Sequence, residues 1–187
     1  MAIVKSPTTL KKQLVWVSYV VGIMLVIEAI NMLTGRYFNQ FSIFPRNLNH
    51  LAYIFTAPFL HANFTHFASN VVTLAIFALL LLQFGGKRFL SVTFGLIVLT
   101  GLLVWMFGRP SYHLGASGVI YGYFGYLVFA GFLSKRLFLI IISVVVAFFY
   151  GGMIWGVLPN QPYISWESHL FGFIAGLCLA WFLRSRS

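Results

Sequence analysis

Ser117 lies within Gly115-Ala116-Ser117-Gly118, where a polar connection enters a long apolar segment, and His169 holds a similar position at the start of the last such segment. A serine hydroxyl is a poor nucleophile until a base removes its proton, and imidazole can take that proton and return it to a leaving amine. Ser117 with His169 is therefore the economical pair for acyl transfer, set in sequence that belongs inside a membrane. His66 and Asn70, four apart on one helical face, offer N–H donors for the oxygen that turns negative when Ser117 attacks a carbonyl. The backbone N–H of Ser117, at a helix start, is a further donor. Tyr121, one turn beyond Ser117, presents its ring on the same face, where it could pack on the His169 imidazole. The competing readings are close packing for the small Gly-Ala-Ser-Gly turn, a polar interhelical contact for His66 and Asn70, and an ordinary core aromatic for Tyr121.

The chain has two acidic residues, Glu28 and Glu167. Glu28 lies in the first apolar segment and is expected to snorkel or pair near its outer end. Glu167 is two positions before His169 and so points away from it on a helix, which favours a Ser-His dyad over a triad. Two histidines without a His-Glu-x-x-His arrangement do not make a metalloprotease motif, and no metal or cofactor is expected. His61 is expected to brace the loop before the second segment by donating a hydrogen bond, and His50 and His113 to be structural or solvated.

These groups need elements that hold them, and composition says which. The chain is 60% hydrophobic and 7% charged, with a mean hydropathy of +0.93, against roughly one-quarter charged residues in a soluble domain. It reads as an all-α polytopic membrane protein, a single domain over residues 1–187. Six segments, near residues 13–33, 62–83, 89–107, 116–133, 137–158 and 168–184, are long enough or nearly so to cross about 30 Å of hydrocarbon. Gly85-Gly86 and Pro159 through Pro162 mark the clearest breaks. The stretch from Thr34 to Leu60, with prolines, amides and interspersed aromatics, suits a loop resting partly at the interface. The first apolar run follows Lys5, Lys11 and Lys12 as a signal peptide would, yet it extends for about 20 residues with no small-residue cleavage pattern, so a retained span is expected.

The net charge of +10 is spread between apolar segments, which argues for topology and against nucleic acid. Lys5, Lys11, Lys12, Lys87, Arg88, Lys135, Arg136, Arg184 and Arg186 fall on one side, and Arg36, Arg46 and Arg109 on the other. Both termini are then cytoplasmic by the positive-inside rule. The second, fourth and sixth helices all enter from outside, and His66, Asn70, Ser117 and His169 lie within the first two turns of each. At about 1.5 Å per residue they share one shallow layer. Gly172 and Gly176 give the sixth helix a small face for close approach to the fourth, with Gly118, Gly122 and Gly125 as counterparts. Cys178, the lone cysteine, is expected to be a small buried hydrophobe.

In order and spacing, His66-x-x-x-Asn70, Gly115-Ala116-Ser117-Gly118 and His169-x-x-Gly172-x-x-x-Gly176 resemble the rhomboid family of intramembrane serine proteases, over almost the whole chain. The resemblance implies a six-helix core without cofactor, Ser117 as nucleophile, His169 as general base and acid, His66 and Asn70 as oxyanion donors beside the Ser117 N–H, and Tyr121 packed on the catalytic histidine. It further implies single-span or other transmembrane proteins as substrates, cut near the outer end of the segment, with water reaching the serine from outside and substrate entering laterally between helices two and five. Phe148, Phe149, Tyr150 and Trp155 would then belong to a mobile gate or simply face lipid. Ala52-Tyr53 stands where many relatives carry Trp-Arg, so Arg46 or Tyr53 with neighbouring aromatics is expected to anchor that loop. The limited space around the turn favours a small residue at the cut site, and a bacterial inner membrane is the expected location. The alternative is a non-catalytic factor that binds or triages membrane proteins through the same lateral opening. A transporter fits poorly, because its coupling needs buried charge or broken helices near the midplane.

Overall fold

The computed structural model describes residues 9–159 and 164–184. Among them run six α-helices: α1 Leu10–Leu33, α2 Phe64–Leu82, α3 Gly86–Phe107, α4 Ser117–Ser134, α5 Leu137–Tyr150 and α6 Trp166–Phe182. Five helical stretches are long and apolar enough to cross a bilayer, and α6, at 17 residues, sits at the lower limit for a span. The architecture is that of an all-helical, polytopic membrane protein.

Helix boundaries follow local chemistry. Asn63 caps α2, its side chain accepting from the His66 N–H at 2.8 Å, so the helix starts just inside the predicted limit. The segment predicted as one span over 137–158 is wound in two ways. It is α-helical to Tyr150 and continues as a 3₁₀ helix over Gly151–Val157, beginning at Gly151-Gly152, whose flexibility disfavours the α form. The tighter winding rises further per residue, carrying a short helix toward the outer surface. Of the predicted break at Pro159 through Pro162, residues 160–162 lie outside the described residues, as do Lys5 and Arg186 from the basic count.

Helix α4 is the centre of the bundle. Twelve of its 18 residues are buried, against α2, α3, α5 and above all α6. Its interface with α6 is backbone on backbone: a Cβ added at Gly172 would overlap the Gly118 carbonyl, one at Gly176 the Gly122 carbonyl, and one at Gly125 would lie 2.5 Å from the Phe173 carbonyl. Without a hydrophobic drive between helices in lipid, small residues that allow such approach are what hold a bundle together. Ser143 ties α5 to the other side of α4, accepting from the Gly131 N–H at 3.1 Å and donating to the Leu127 carbonyl at 2.5 Å. Helix α1 buries one stripe, Gln13, Val17, Met24, Glu28 and Asn31, and leaves the rest to lipid.

Cys178 is exposed, contrary to expectation. The inward face of α6 is Gly172, Ala175, Gly176 and Ala180; residue 178 falls between these on the outward side, where lipid accepts a small apolar group as readily as the core does.

The two ends of the bundle differ as the charge split requires. At the basic end Gln83 donates to Gln13 at 2.8 Å, and Arg88 donates to the Leu183 carbonyl. At the other end, the connection between α1 and α2 folds into four 3₁₀ turns pinned by arginines. Arg36 pairs with buried Glu28 at 2.7 Å and donates to the His61 carbonyl at 3.0 Å. Arg46 donates to the Gly108 carbonyl at 2.8 Å, and Trp105 Nε1 to the Asn47 carbonyl at 2.8 Å. Tyr53 packs edge-on against Phe41 and His50 at 5.5 and 5.1 Å. Arg46 and Tyr53 thus share the anchoring that the Ala52-Tyr53 departure left open.

If backbone contact between α4 and α6 carries the fold, Gly176→Ala should lower stability by about 1–3 kcal/mol, the cost of overpacking. Gly22→Ala, where an added Cβ meets nothing within 4 Å, should be neutral or mildly stabilising. Thermal unfolding of both variants in one detergent checks this, and equal melting temperatures would refute it.

Candidate active site

Three helix N-termini open onto one cavity of about 830 Å³, lined by His66, Asn70, Ser117, Tyr121 and His169 together with Tyr150, Met153 and Ser165. Ser117 is the first residue of α4, His169 the fourth of α6, and His66 and Asn70 the third and seventh of α2. The shallow shared layer predicted from topology is thus a common space, and the lateral convergence that spacing alone leaves open is present.

His169 is held on two sides. Its ring lies flat on Tyr121, centroids 4.1 Å apart and planes within 4°. Its Nδ1 is 2.9 Å from the Gly156 carbonyl. A carbonyl oxygen only accepts, so Nδ1 carries the proton and Nε2 keeps its lone pair for the cavity. Gly156 must be glycine for this contact, since a Cβ there would overlap the Tyr121 hydroxyl. Neither acid is hydrogen-bonded to the imidazole: Glu167 is turned to Arg109, with Nε at 3.4 Å, and Glu28 to Arg36.

Ser117 follows a turn shaped by its neighbours. Gly115 has φ +114°, a left-handed conformation that side chains resist, and a Cβ there would come within 2.8 Å of the His66 ring. The glycine therefore serves both the turn and the approach of His66. The Gly115 N–H donates to the Ala57 carbonyl at 2.9 Å, and the Ala116 N–H points at His61 Nε2 at 3.5 Å. The Ser117 N–H is left at the positive end of α4. Asn70 Nδ2 donates to the His66 carbonyl at 2.6 Å; with two protons on that nitrogen, one remains for a ligand. Gly118 and Gly172 bring the two helices together directly beneath the pair.

His61 braces the loop as expected, its ring interacting with the Phe59 backbone and its Nε2 facing the Ala116 N–H. It is fully buried. Burial, with His66 and Arg36 nearby, pushes its pKa from 6.5 down to about 4. His113 is also structural: burial lowers its pKa, its ring joins Ser165, and its backbone pairs with Ile43. His50 lies 2.9 Å from the Ser42 carbonyl through Nδ1.

The site residue that sequence reasoning missed is Gly156. Its signal was indirect: a buried histidine with no acid to spare needs some other acceptor for its second nitrogen, and a backbone carbonyl leaves no mark on residue identity. Of the aromatics offered as gate or lipid face, Phe148, Phe149 and Trp155 are exposed. Tyr150 turns inward onto Phe77 of α2, centroids 4.7 Å apart.

A protein-family profile described as Rhomboid domain matches residues 48–186. An uncharacterized protein of Mycobacterium tuberculosis is 33% identical over 174 residues, covering 88% of this chain and 72% of its own length. A counterpart in Mycobacterium bovis matches equally, and one in Mycobacterium leprae is 31% identical over 173 residues, 88% of this chain and 68% of its own.

His61 makes a pH prediction. Its folded pKa lies below its unfolded value, so the unfolded chain binds the extra proton as pH falls from about 6.5 to about 4, and stability is lost across that window, on the order of 3 kcal/mol. Burial of His113 acts with the same sign. Melting temperature should fall from pH 7 to pH 4, and His61→Phe should flatten the slope; an unchanged slope in that variant would count against it.

Proposed function

The chain belongs to the rhomboid family, and on that footing we propose that it is an intramembrane serine endopeptidase using a Ser117-His169 dyad. The observation that carries the reading is the state of His169: stacked on Tyr121, with Nδ1–H donated to Gly156, its Nε2 lone pair available in the cavity that Ser117 also lines.

In this mechanism a substrate segment unwinds near its outer end and presents a peptide carbonyl to Ser117. As Oγ attacks, Nε2 of His169 takes its proton. The imidazolium that forms is stabilised by the Gly156 carbonyl at Nδ1 and by the face of Tyr121, an aromatic surface that attracts cations. The oxyanion lies among the Ser117 N–H, the free Asn70 amide proton and His66. His169 then protonates the leaving amine, and water, activated in turn by His169, resolves the acyl-enzyme. Each oxyanion donor is worth about 3 kcal/mol in such a low-dielectric site. No cofactor enters any step.

Substrates on this reading are membrane-anchored proteins with a segment that unwinds readily and a small residue at the scissile bond, because space beside the tight turn that presents Ser117 to the cavity is limited. The mycobacterial relatives support a bacterial inner membrane as the location.

Purified protein in lipid, offered a panel of single-span substrates, tests the proposal by product mass. Wild type should cut near the outer boundary of the substrate segment. Ser117→Ala and His169→Ala should lose at least about a thousandfold in rate, and Asn70→Ala about a hundredfold. Gly156→Ala should lower kcat with little change in KM, since it disturbs the base and not the substrate contacts. Stable substrate complexes without cleavage by folded wild type would instead favour the binding-factor reading. Equal cleavage at a bulky residue would sink the size preference alone.

A further inference from the structure

We propose that Arg109, His113, Ser165 and Glu167 are positioning residues, a polar clamp that sets the register of the Ser117 end of α4 against the His169 end of α6; the proposal rests on the protease reading above.

The clamp joins the α3–α4 connection to the entrance of α6 at four points. Arg109 Nη2 donates to the Ile164 carbonyl at 2.5 Å. Arg109 Nε and its backbone N–H both reach Glu167 Oε1 at 3.4 Å. The His113 ring meets the Ser165 hydroxyl through Nδ1 and the Arg109 carbonyl through Nε2 at 3.1 Å. Since the carbonyl can only accept, Nε2–H donates to it and Nδ1 accepts from Ser165. The His113 backbone is itself held by Ile43, with N–H to carbonyl distances of 2.9 and 3.2 Å in the two directions.

The location gives this network its meaning. Arg109 and His113 stand eight and four positions before Ser117; Ser165 and Glu167 stand four and two before His169. Each cross-link therefore runs from just upstream of the nucleophile to just upstream of the base, and no clamp side chain is hydrogen-bonded to His169. Below the clamp, the α4–α6 contact is largely backbone at glycines, with the Tyr121–His169 and Phe124–Phe173 ring pairs beside it. Glycine faces permit close approach but offer few ridges to resist sliding or rotation, because interhelical register comes from side chains interdigitating. A displacement of about 1 Å between base and nucleophile can cost a hundredfold in rate, so a cross-link at the open end of the two helices adds to what the ring pairs hold.

The chemistry suits a fixed clamp. Glu167 is almost fully buried, with Arg109 about one-third exposed, and it sits in the first turn of α6, where a carboxylate is favoured by the helix dipole. Removing one partner of such a pair leaves a buried charge uncompensated. Half of the chain's acidic residues are committed here.

The test compares Glu167→Gln, Arg109→Lys and, as a stability control remote from the cavity, Ser143→Ala, each as the full chain in lipid. Three quantities are read: kcat and KM on a single-span substrate, labelling of Ser117 by a fluorophosphonate, and hydrogen exchange of residues 113–120 and 166–172. Glu167→Gln should lower kcat and the labelling rate by about ten- to a hundredfold with KM within about twofold, and should speed exchange in both segments. Arg109→Lys, which keeps the charge, should recover most of the rate. Ser143→Ala should leave kcat near wild type even where its loss of melting temperature matches that of Glu167→Gln. A matched fall in kcat for Ser143→Ala would overturn the clamp, as would unchanged kcat and exchange in Glu167→Gln. Should wild type cleave nothing and resist labelling, the protease reading fails by itself. Exchange then decides the clamp, faster in both segments supporting it and unchanged overturning it.

Discussion

Two helices can lie with their backbones in contact only if the residues between them have no side chains, and the approach of α6 to α4 is the constraint on which the rest of this structure depends. Gly118 faces Gly172 and Gly122 faces Gly176. A side chain at Gly172 or Gly176 would strike the Gly118 or Gly122 carbonyl and push the helices apart, and with them the serine at the head of one and the histidine in the first turn of the other; a side chain at Gly122 would instead strike Leu96 of α3. In lipid this contact is also the main source of cohesion, since burying apolar side chains against one another gains little over leaving them in hydrocarbon. Gly125, Gly172 and Gly176 thus let α4 and α6 meet, and Gly122 lets α3 close on the same helix.

Acidic charge is used sparingly and at one end. Both acidic residues lie toward the outer surface, each paired to an arginine on that side, Glu28 with Arg36 and Glu167 with Arg109. The third outer arginine, Arg46, is spent on backbone carbonyls. None of the three is a loose surface charge, which reconciles their position with a topology that otherwise gathers basic residues at the opposite end. Ion pairs shielded this well hold geometry more than they add stability, and the segments they hold are those that bear on the cavity: the loop leading to His66, the turn leading to Ser117 and the entrance to His169.

With its acids so committed, the chain has none left to orient the His169 imidazole. The Gly156 carbonyl and the Tyr121 ring take that role, one selecting the tautomer and the other fixing the plane. A neutral acceptor stabilises an imidazolium less than a carboxylate would, but it needs no buried charge in a shallow membrane site. The 3₁₀ winding of Gly151–Val157 brings that carbonyl within reach, so a local departure from α-helix at the end of α5 is also a feature of the site.

Much of this was legible in the residues. Apolar run lengths and the split of basic residues determined six helices and their direction. The types and positions of His66, Asn70, Ser117, Tyr121 and His169, each near the outer end of an inward-running helix, determined which groups share a depth, because rise per residue converts position into height. Burial of Cys178 was misjudged, since hydrophobicity in lipid carries no information about which way a side chain faces. The acceptor for His169, the approach of the Ala116 N–H to His61 and the links of Arg109 and His113 to the start of α6 were decided only by tertiary structure. Each depends on a backbone atom or on a contact between segments about 50 residues apart, and neither a carbonyl's direction nor a lateral distance is encoded in the identity and spacing of side chains along the chain.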